Sequence, residues 1–194
     1  MNSLFLFETL KPYLFPWIIA TPQALLGAFI IHGIRRRHIN SQIISFVRPT
    51  KVQISFSFLL VPINLIFMYI YAVFIMKFGI DILMPSVVPS DILGQGLMIY
   101  VNLITICLFV PLVEEFFFRG FLFNALVHKF HLIYAMLISS GIFAIAHGSF
   151  GLLIPTFFSS MMVSFLYYKS KTIWTPVITH SLQNLLVVIV ASAG

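Results

Sequence analysis

Long runs of apolar residues without a charged side chain constrain the fold of this chain more than any other feature. Several of these runs approach or exceed the roughly 20 residues that an α-helix needs to cross the hydrocarbon core of a bilayer. Only 8% of the residues are charged, whereas soluble domains carry about 25%. So few charges cannot cover a soluble surface, and this composition excludes the soluble globular, disordered, collagenous and coiled-coil classes. We therefore expect an all-α, polytopic transmembrane helical bundle.

The positions of the apolar runs predict about six spans, with a range of six to eight. The six are Pro12–Gly33, Gln53–Met76, Ile92–Val113 with its continuation Gly120–Val127, Leu132–Ala146, Phe150–Tyr168 and Ile173–Gly194. The first run is too long for a signal peptide and lacks a small-residue cleavage site, so we expect it to be a span. Because neither a repeat nor a linker interrupts the pattern, the sequence predicts one membrane-embedded domain over residues 1–194.

Basic residues indicate the orientation of the spans. Lys and Arg side chains concentrate in alternate loops, as the positive-inside rule requires of cytoplasmic loops. These eight residues are Arg35, Arg36, Arg37, Arg48, Lys51, Lys129, Lys169 and Lys171. The opposite side holds only Lys11 and Lys77, which places both termini outside. The net charge of +6 is therefore explained by membrane topology, and we expect membrane lipids, and no nucleic acid, as partners.

Three charged residues interrupt the third apolar run. Glu114, Glu115 and Arg119 lie between apolar segments, where each charge costs about 2.5–3.5 kcal/mol on insertion scales. One interpretation ends the helix at Glu114 and leaves the charges at the membrane interface. The interpretation that we favour is one long helix from about Gly96 to Val127, with all three charges inside the protein.

Helical spacing places the polar residues of separate spans at one depth. Glu114 precedes the polar turn at residues 128–131 by about 15 residues, and His147 follows it by about 17, so both lie roughly 23–26 Å from that turn. By the same rise, His180 and Asn184 lie about 15 and 21 Å from the next basic turn. A lone intramembrane His or Asn usually forms a hydrogen bond between helices. A carboxylate, two imidazoles and an amide in one layer indicate a hydrolytic site.

The helical spacing of the two adjacent glutamates places their carboxylates on different faces of the helix. Glu115 and Arg119 are four residues apart and share a helix face, so they can form an ion pair. Glu114 points about 100° away and is left to face a cavity. Pro111 cannot donate a backbone hydrogen bond to the carbonyl of Cys107, which loosens the helix one turn before Glu114. Cys107 has no ionisable partner at helical spacing, and a Gly-x-Ser-x-Gly nucleophile motif is absent, so neither Cys nor Ser is the expected nucleophile.

Three motifs then resemble a known family. Glu114-Glu115-x-x-x-Arg119, Phe143-x-x-x-His147 and His180-x-x-x-Asn184 follow one another on successive predicted helices. In this order they resemble the CPBP family of intramembrane proteases, also called the Abi or CAAX-protease family, with its Rce1-like and bacteriocin-associated bacterial members. The resemblance implies a CAAX-protease-like catalytic core at about residues 94–192 and a location in a bacterial cell membrane.

The resemblance also implies peptide-bond hydrolysis and assigns roles to the motif residues. Glu114 would be the general base, and His147 would help to hold and activate the water. His180 and Asn184 would stabilise the oxyanion, as side-chain donors can. The supporting residues would be Glu115, Arg119 and Phe143.

Cofactor, substrate and function class follow with their alternatives. We expect no cofactor. Zinc is the alternative, with Glu114, His147 and His180 as its three protein ligands, although the His-Glu-x-x-His motif is absent. The expected partner is a peptide or lipidated peptide, cleaved in peptide maturation, bacteriocin processing, self-immunity or CAAX-type tail removal. The alternatives are a non-catalytic membrane immunity or scaffold protein and a small proton-coupled transporter that titrates Glu114.

Overall fold

The helices of the chain follow one another along two long stretches. The computed structural model describes residues 45–85 and 93–193, together with residues 14, 16–18, 20–28 and 32. The helices in the two long stretches are α1 (Lys51–Phe78), α2 (Leu97–Val127), α3 (Leu132–Ala146), α4 (Phe150–Ser170) and α5 (Trp174–Ala193). A 3₁₀ turn, Asp81–Leu83, follows α1, and these stretches contain no strand.

Four of these helices, α1, α2, α4 and α5, are long and apolar enough to cross a membrane. Helix α3 is apolar but has 15 residues, about 22 Å of rise. The predicted first span, Pro12–Gly33, lies largely outside the described residues, although residues 20–28 are helical. Large apolar side chains of α1 such as Phe58, Tyr69 and Ile70 are more than half exposed, as lipid-facing residues are. The predicted all-α fold of an integral, multi-pass membrane protein is confirmed.

Helix α2 continues through the charged residues. It runs for 31 residues, so the interpretation that ended a helix at Glu114 is wrong. Its hydrogen bonding is not α-helical throughout, because Thr105–Phe109 and Phe116–Phe123 are π-helical. Both glutamates lie in the short α-helical segment Val110–Glu115 between them. Such π segments inside α-helices are rare and often occur at functional sites.

Local signals fix the ends of the helices. Thr50 and Gln53 form a capping box at the start of α1, in which each side chain bonds the backbone of the other. Gly79 caps the end of helix α1, and its φ of 65° lies in the left-handed region that glycine adopts without strain. Lys171 caps the end of helix α4 in the same conformation, with a φ of 56°.

The chain divides into two compact units. The first consists of residues 1–39, 87–114 and 180–194, and the second of residues 40–86 and 115–179. Two of the boundaries fall inside helices, between Glu114 and Glu115 in α2 and between Thr179 and His180 in α5. The single domain over residues 1–194 remains a prediction.

Small polar side chains occupy the centre of the second unit. Ser139 and Ser140 of α3 and Ser160 and Ser164 of α4 are all buried, and such small residues let two membrane helices approach closely. Helix α1 packs on α4 through the stacked rings of Phe67 and Phe158, whose centroids are 3.8 Å apart. The amide of Gln53 also donates to the carbonyl of Ser170 at 3.1 Å, which joins the start of α1 to the end of α4.

Candidate active site

Two polar side chains of the first unit lie next to the carboxylate of Glu114. The Nε2 atom of Gln23 donates a 2.7 Å hydrogen bond to Oε1 of Glu114. The Nε2 atom of His180 lies 3.9 Å from the other carboxylate oxygen, Oε2. The side chains of Glu114 and His180 are 14% and 13% exposed, so the carboxylate is largely buried but retains some exposed surface. The arrangement gives one oxygen a fixed orientation and turns the other towards an imidazole.

Asn184, one turn after His180 on α5, bonds the backbone of α2. Its Nδ2 donates to the carbonyl oxygen of Ile106 at 2.9 Å. Ile106 lies in the first π segment, where a carbonyl bonds the N–H five residues later, as Thr105 does with Val110. For Ile106 that residue is Pro111, which has no N–H. Asn184 therefore supplies a donor where proline removes one. The bond uses one of the two N–H groups of the amide.

Glu115 belongs to a buried charge network in the second unit. Nη1 of Arg119 lies 3.0 Å from Oε1 of Glu115, and each side chain is at most 2% exposed. Nη2 of Arg119 donates to the hydroxyl of Ser160 at 3.0 Å, and the guanidinium lies 4.8 Å from the centroid of the Phe143 ring. The ion pair that the spacing predicted is therefore present. A buried charge is tolerated when it is paired and hydrogen-bonded in this way.

Phe143 and His147 interact through both backbone and ring. Nδ1 of His147 lies 2.8 Å from the carbonyl oxygen of Phe143, and the two rings are 4.5 Å apart. Because a carbonyl can only accept, the proton of this bond is on Nδ1, and in the neutral imidazole Nε2 is then the acceptor. His147 is exposed where α3 ends. Phe143 also packs edge-to-face against Phe118 at 4.8 Å, so the ring links the charge network to the histidine.

The predicted site residues fall into two groups. Glu114, His180 and Asn184 belong to the first unit, and within it Glu114 meets His180. The residues of the second unit, joined by the contacts described above, are Glu115, Arg119, Phe143 and His147. The common depth of His147 and Glu114 remains a prediction, as do the roles of all seven residues.

Two contacting residues were missed by the motifs. Gln23 bonds Glu114 from the first predicted span, and Ser160 bonds Arg119 from α4. An available signal for Gln23 was its polarity inside an apolar run, since polar intramembrane residues tend to have partners. Ser160 carried no such signal, because serine is common in membrane helices.

The side chains around Glu114 offer donor atoms of the kind that bind zinc. Glu114 and His180 supply an oxygen and a nitrogen 3.9 Å apart, a pair of the type found in zinc sites. Among the residues that the structure describes, no group of three His, Cys, Asp or Glu side chains is arranged to hold a metal ion. The zinc alternative therefore stays a prediction.

Comparison with known families assigns a class to this site. Residues 96–186 match the family described as type II CAAX prenyl endopeptidase, Rce1-like. This region contains all seven predicted site residues and lies within the core predicted at about residues 94–192. The resemblance inferred from the three motifs is confirmed, because this region is similar to the Rce1-like family of CAAX-type membrane proteases.

Individual relatives come from three bacteria. The chain is 39% identical over 79 residues to the "Putative membrane peptidase YdiL" of Bacillus subtilis, covering 41% of this chain and 32% of that protein. It is 37% identical over 97 residues to the "UPF0177 protein YxdF" of Lactococcus lactis, covering 50% and 52%. It is 36% identical over 112 residues to the "Membrane-embedded CAAX protease MroQ" of Staphylococcus aureus, covering 54% and 44%.

The similarity to these relatives covers only part of their length. The chain spans between about a third and a half of the length of these relatives. No solved structure gives a significant match. With the apolar helices, the family and its bacterial relatives confirm the predicted location, an integral membrane protein of a bacterial cell.

Proposed function

We propose that the chain is an intramembrane endopeptidase in which Glu114 activates the attacking water. The observation that carries this proposal is the setting of the Glu114 carboxylate. It is 14% exposed, accepts one hydrogen bond from Gln23 and faces His180, while its neighbour Glu115 is paired with Arg119. A carboxylate that is oriented by a hydrogen bond and faces an imidazole is suited to general-base catalysis.

In the proposed reaction Glu114 transfers a proton from the attacking water to the leaving nitrogen. The carboxylate takes a proton from water, and the resulting hydroxide bonds the carbonyl carbon of the peptide. His147 orients this water through Nε2, and His180 and Asn184 donate to the oxyanion of the tetrahedral intermediate. Protonated Glu114 then gives its proton to the leaving nitrogen as the C–N bond breaks, which restores the carboxylate.

Gln23 acts as a positioning residue in this proposal. An amide N–H that donates to Oε1 fixes the rotation of the carboxylate and leaves Oε2 on the side of His180. Small errors in the orientation of a catalytic group lower reaction rates strongly. Gln23 therefore supports the chemistry without touching the reacting atoms.

The proposed substrate is a peptide or a lipidated peptide. This class follows from the family description and from the name of the relative MroQ, a CAAX protease. In a bacterium the reaction would serve peptide maturation, bacteriocin processing or self-immunity, or removal of a CAAX-type tail. Hydrolysis without a resident metal is part of the proposal.

Substitution of Glu114 tests the proposal. Purified protein in nanodiscs is assayed with quenched fluorogenic peptides of mixed sequence, and with CAAX peptides in plain and farnesylated form. Glu114→Gln preserves shape and removes the base, so we expect kcat to fall by about 10²–10⁴-fold. Asp81→Asn is the matched control, because it removes a carboxylate from the exposed 3₁₀ turn and should leave the rate unchanged.

The possible outcomes of these assays distinguish the proposed mechanism from its alternatives. Equal cleavage by wild type and Glu114→Gln would contradict the role of Glu114. Loss of activity with a zinc chelator, restored by zinc, would replace the metal-free mechanism with a zinc site. A cellular phenotype that survives Glu114→Gln would favour the non-catalytic scaffold, and a phenotype that depends on the proton gradient would favour the transporter.

A further inference from the structure

The second unit contains a cavity among α1, α3 and α4. Its volume is about 570 Å³, within the range of roughly 300–1,000 Å³ that ligand pockets occupy. None of the predicted site residues lines it. The lining residues are Phe56, Leu60, Met136, Met161, Met162, Phe165, Leu166 and Lys169.

Among the described residues that line the cavity, all are apolar except Lys169. The Nζ atom of Lys169 lies 5.5 Å from the centroid of the Phe165 ring. Three of the apolar residues are methionines, whose flexible thioethers adapt to ligands of variable shape. Met161 and Met162 lie about 11 Å along α4 from Lys169. The cavity therefore extends about 11 Å along α4 as an apolar space, with a positive charge at one end.

The charged end lies where the basic loops of this unit meet the helices. Lys169 is one residue from the end of α4, and its neighbour Ser170 is bonded by Gln53 from the first turn of α1. Phe56 and Leu60 lie about 8–14 Å into α1 from its first residue, Lys51. By the positive-inside rule this end faces the cytoplasm.

We propose that this cavity binds one acyl chain of an anionic membrane phospholipid, with the headgroup phosphate paired to Lys169. The surrounding bilayer supplies the occupant, because the lining residues lie on apolar helices of an integral membrane protein. Charge selects the headgroup, since the cytoplasmic leaflet carries anionic lipids and basic pockets between membrane helices bind their headgroups. This site does not depend on proteolytic activity.

Lipid retention by the purified protein tests the proposal. The protein is mixed in detergent with equal amounts of phosphatidylglycerol and phosphatidylcholine of identical acyl chains, and bound lipid is counted by native mass spectrometry. We expect wild type to prefer phosphatidylglycerol, and Lys169→Gln to lower that preference about fivefold, the effect of one basic residue near an anionic surface. Lys171→Gln is the matched control, because Lys171 lies two residues away and does not line the cavity.

The acyl chain and the headgroup are tested separately. Met162→Trp should fill the cavity and abolish retention of both lipids, and Leu60→Trp repeats this test from α1 in case the first variant does not fold. Glycerol phosphate, which has no acyl chain, should not compete with phosphatidylglycerol. Equal retention of the two lipids by wild type, equal losses in Lys169→Gln and Lys171→Gln, or undiminished retention in a folded Trp variant would each overturn the proposal.

Discussion

The buried pair of Glu115 and Arg119 allows a stability prediction whose magnitude comes from its contacts. Arg119 makes an ion pair with Glu115 and a hydrogen bond with Ser160, both at 3.0 Å, and lies over Phe143. Arg119→Met removes all three interactions and leaves the carboxylate of Glu115 buried without this cation. Removing one partner of a buried pair costs about 3–5 kcal/mol, so we expect the free energy of unfolding to fall by that amount.

The partner substitution should be milder. Glu115→Gln removes the negative charge and leaves Arg119 its contacts with Ser160 and Phe143. A hydrogen bond to a charged group contributes about 1.5–3 kcal/mol, which is the expected loss. The double variant Glu115→Gln/Arg119→Met buries no uncompensated charge, so it should be more stable than Arg119→Met alone.

Unfolding titrations in mixed micelles with sodium dodecyl sulfate measure these differences. Lys77→Met, which removes an exposed cation in the last turn of α1, is the control and should change stability by less than about 0.5 kcal/mol. The reasoning is refuted if the losses of the single variants simply add in the double variant, because the two side chains would then not interact energetically.

Two further predictions concern glutamine and glycine. Gln23→Leu removes the hydrogen bond to Glu114. A hydrogen bond to a charged group contributes about 1.5–3 kcal/mol, so we expect kcat to fall about 10–100-fold with little change in KM. A rate equal to wild type in the peptide assay would exclude a positioning role. Gly151→Ala places a methyl group against the backbone carbonyl of Met84 and should cost about 1–3 kcal/mol. Gly141→Ala, where a methyl group meets nothing within 4 Å, is its control, and equal stability of the two variants in the micelle titration would contradict the steric reasoning.

Local spacing accounts for what the sequence predicted well. Residues four apart on a helix meet whatever the rest of the fold does, so the pair of Glu115 and Arg119 was predictable from one segment. The backbone bond between Phe143 and His147 has the same spacing. Hydrophobic length likewise predicted α1, α4 and α5 with ends within a few residues of those observed.

The features that the sequence did not predict depend on distant segments or on hydrogen-bond register. Gln23 bonds a residue 91 positions away, and Ser160 one 41 positions away, so no local pattern connects them. The π segments of α2 leave no mark in hydrophobic periodicity, because most of the residues in and around them are apolar. For this reason the carbonyl affected by Pro111 was predicted to be that of Cys107, whereas Asn184 bonds the carbonyl of Ile106.

The shift from Cys107 to Ile106 explains how α2 tolerates a proline beside two carboxylates. In an α-helix Pro111 would deprive the carbonyl four residues earlier of its donor, and in the π register it deprives the one five residues earlier. The amide of Asn184 supplies a donor to that carbonyl, so α5 is fixed to α2 one turn from His180. The α-helical segment that follows, Val110–Glu115, then separates the directions of the two glutamates by about 100°. One carboxylate can therefore be neutralised by Arg119 while Glu114 meets Gln23 and His180.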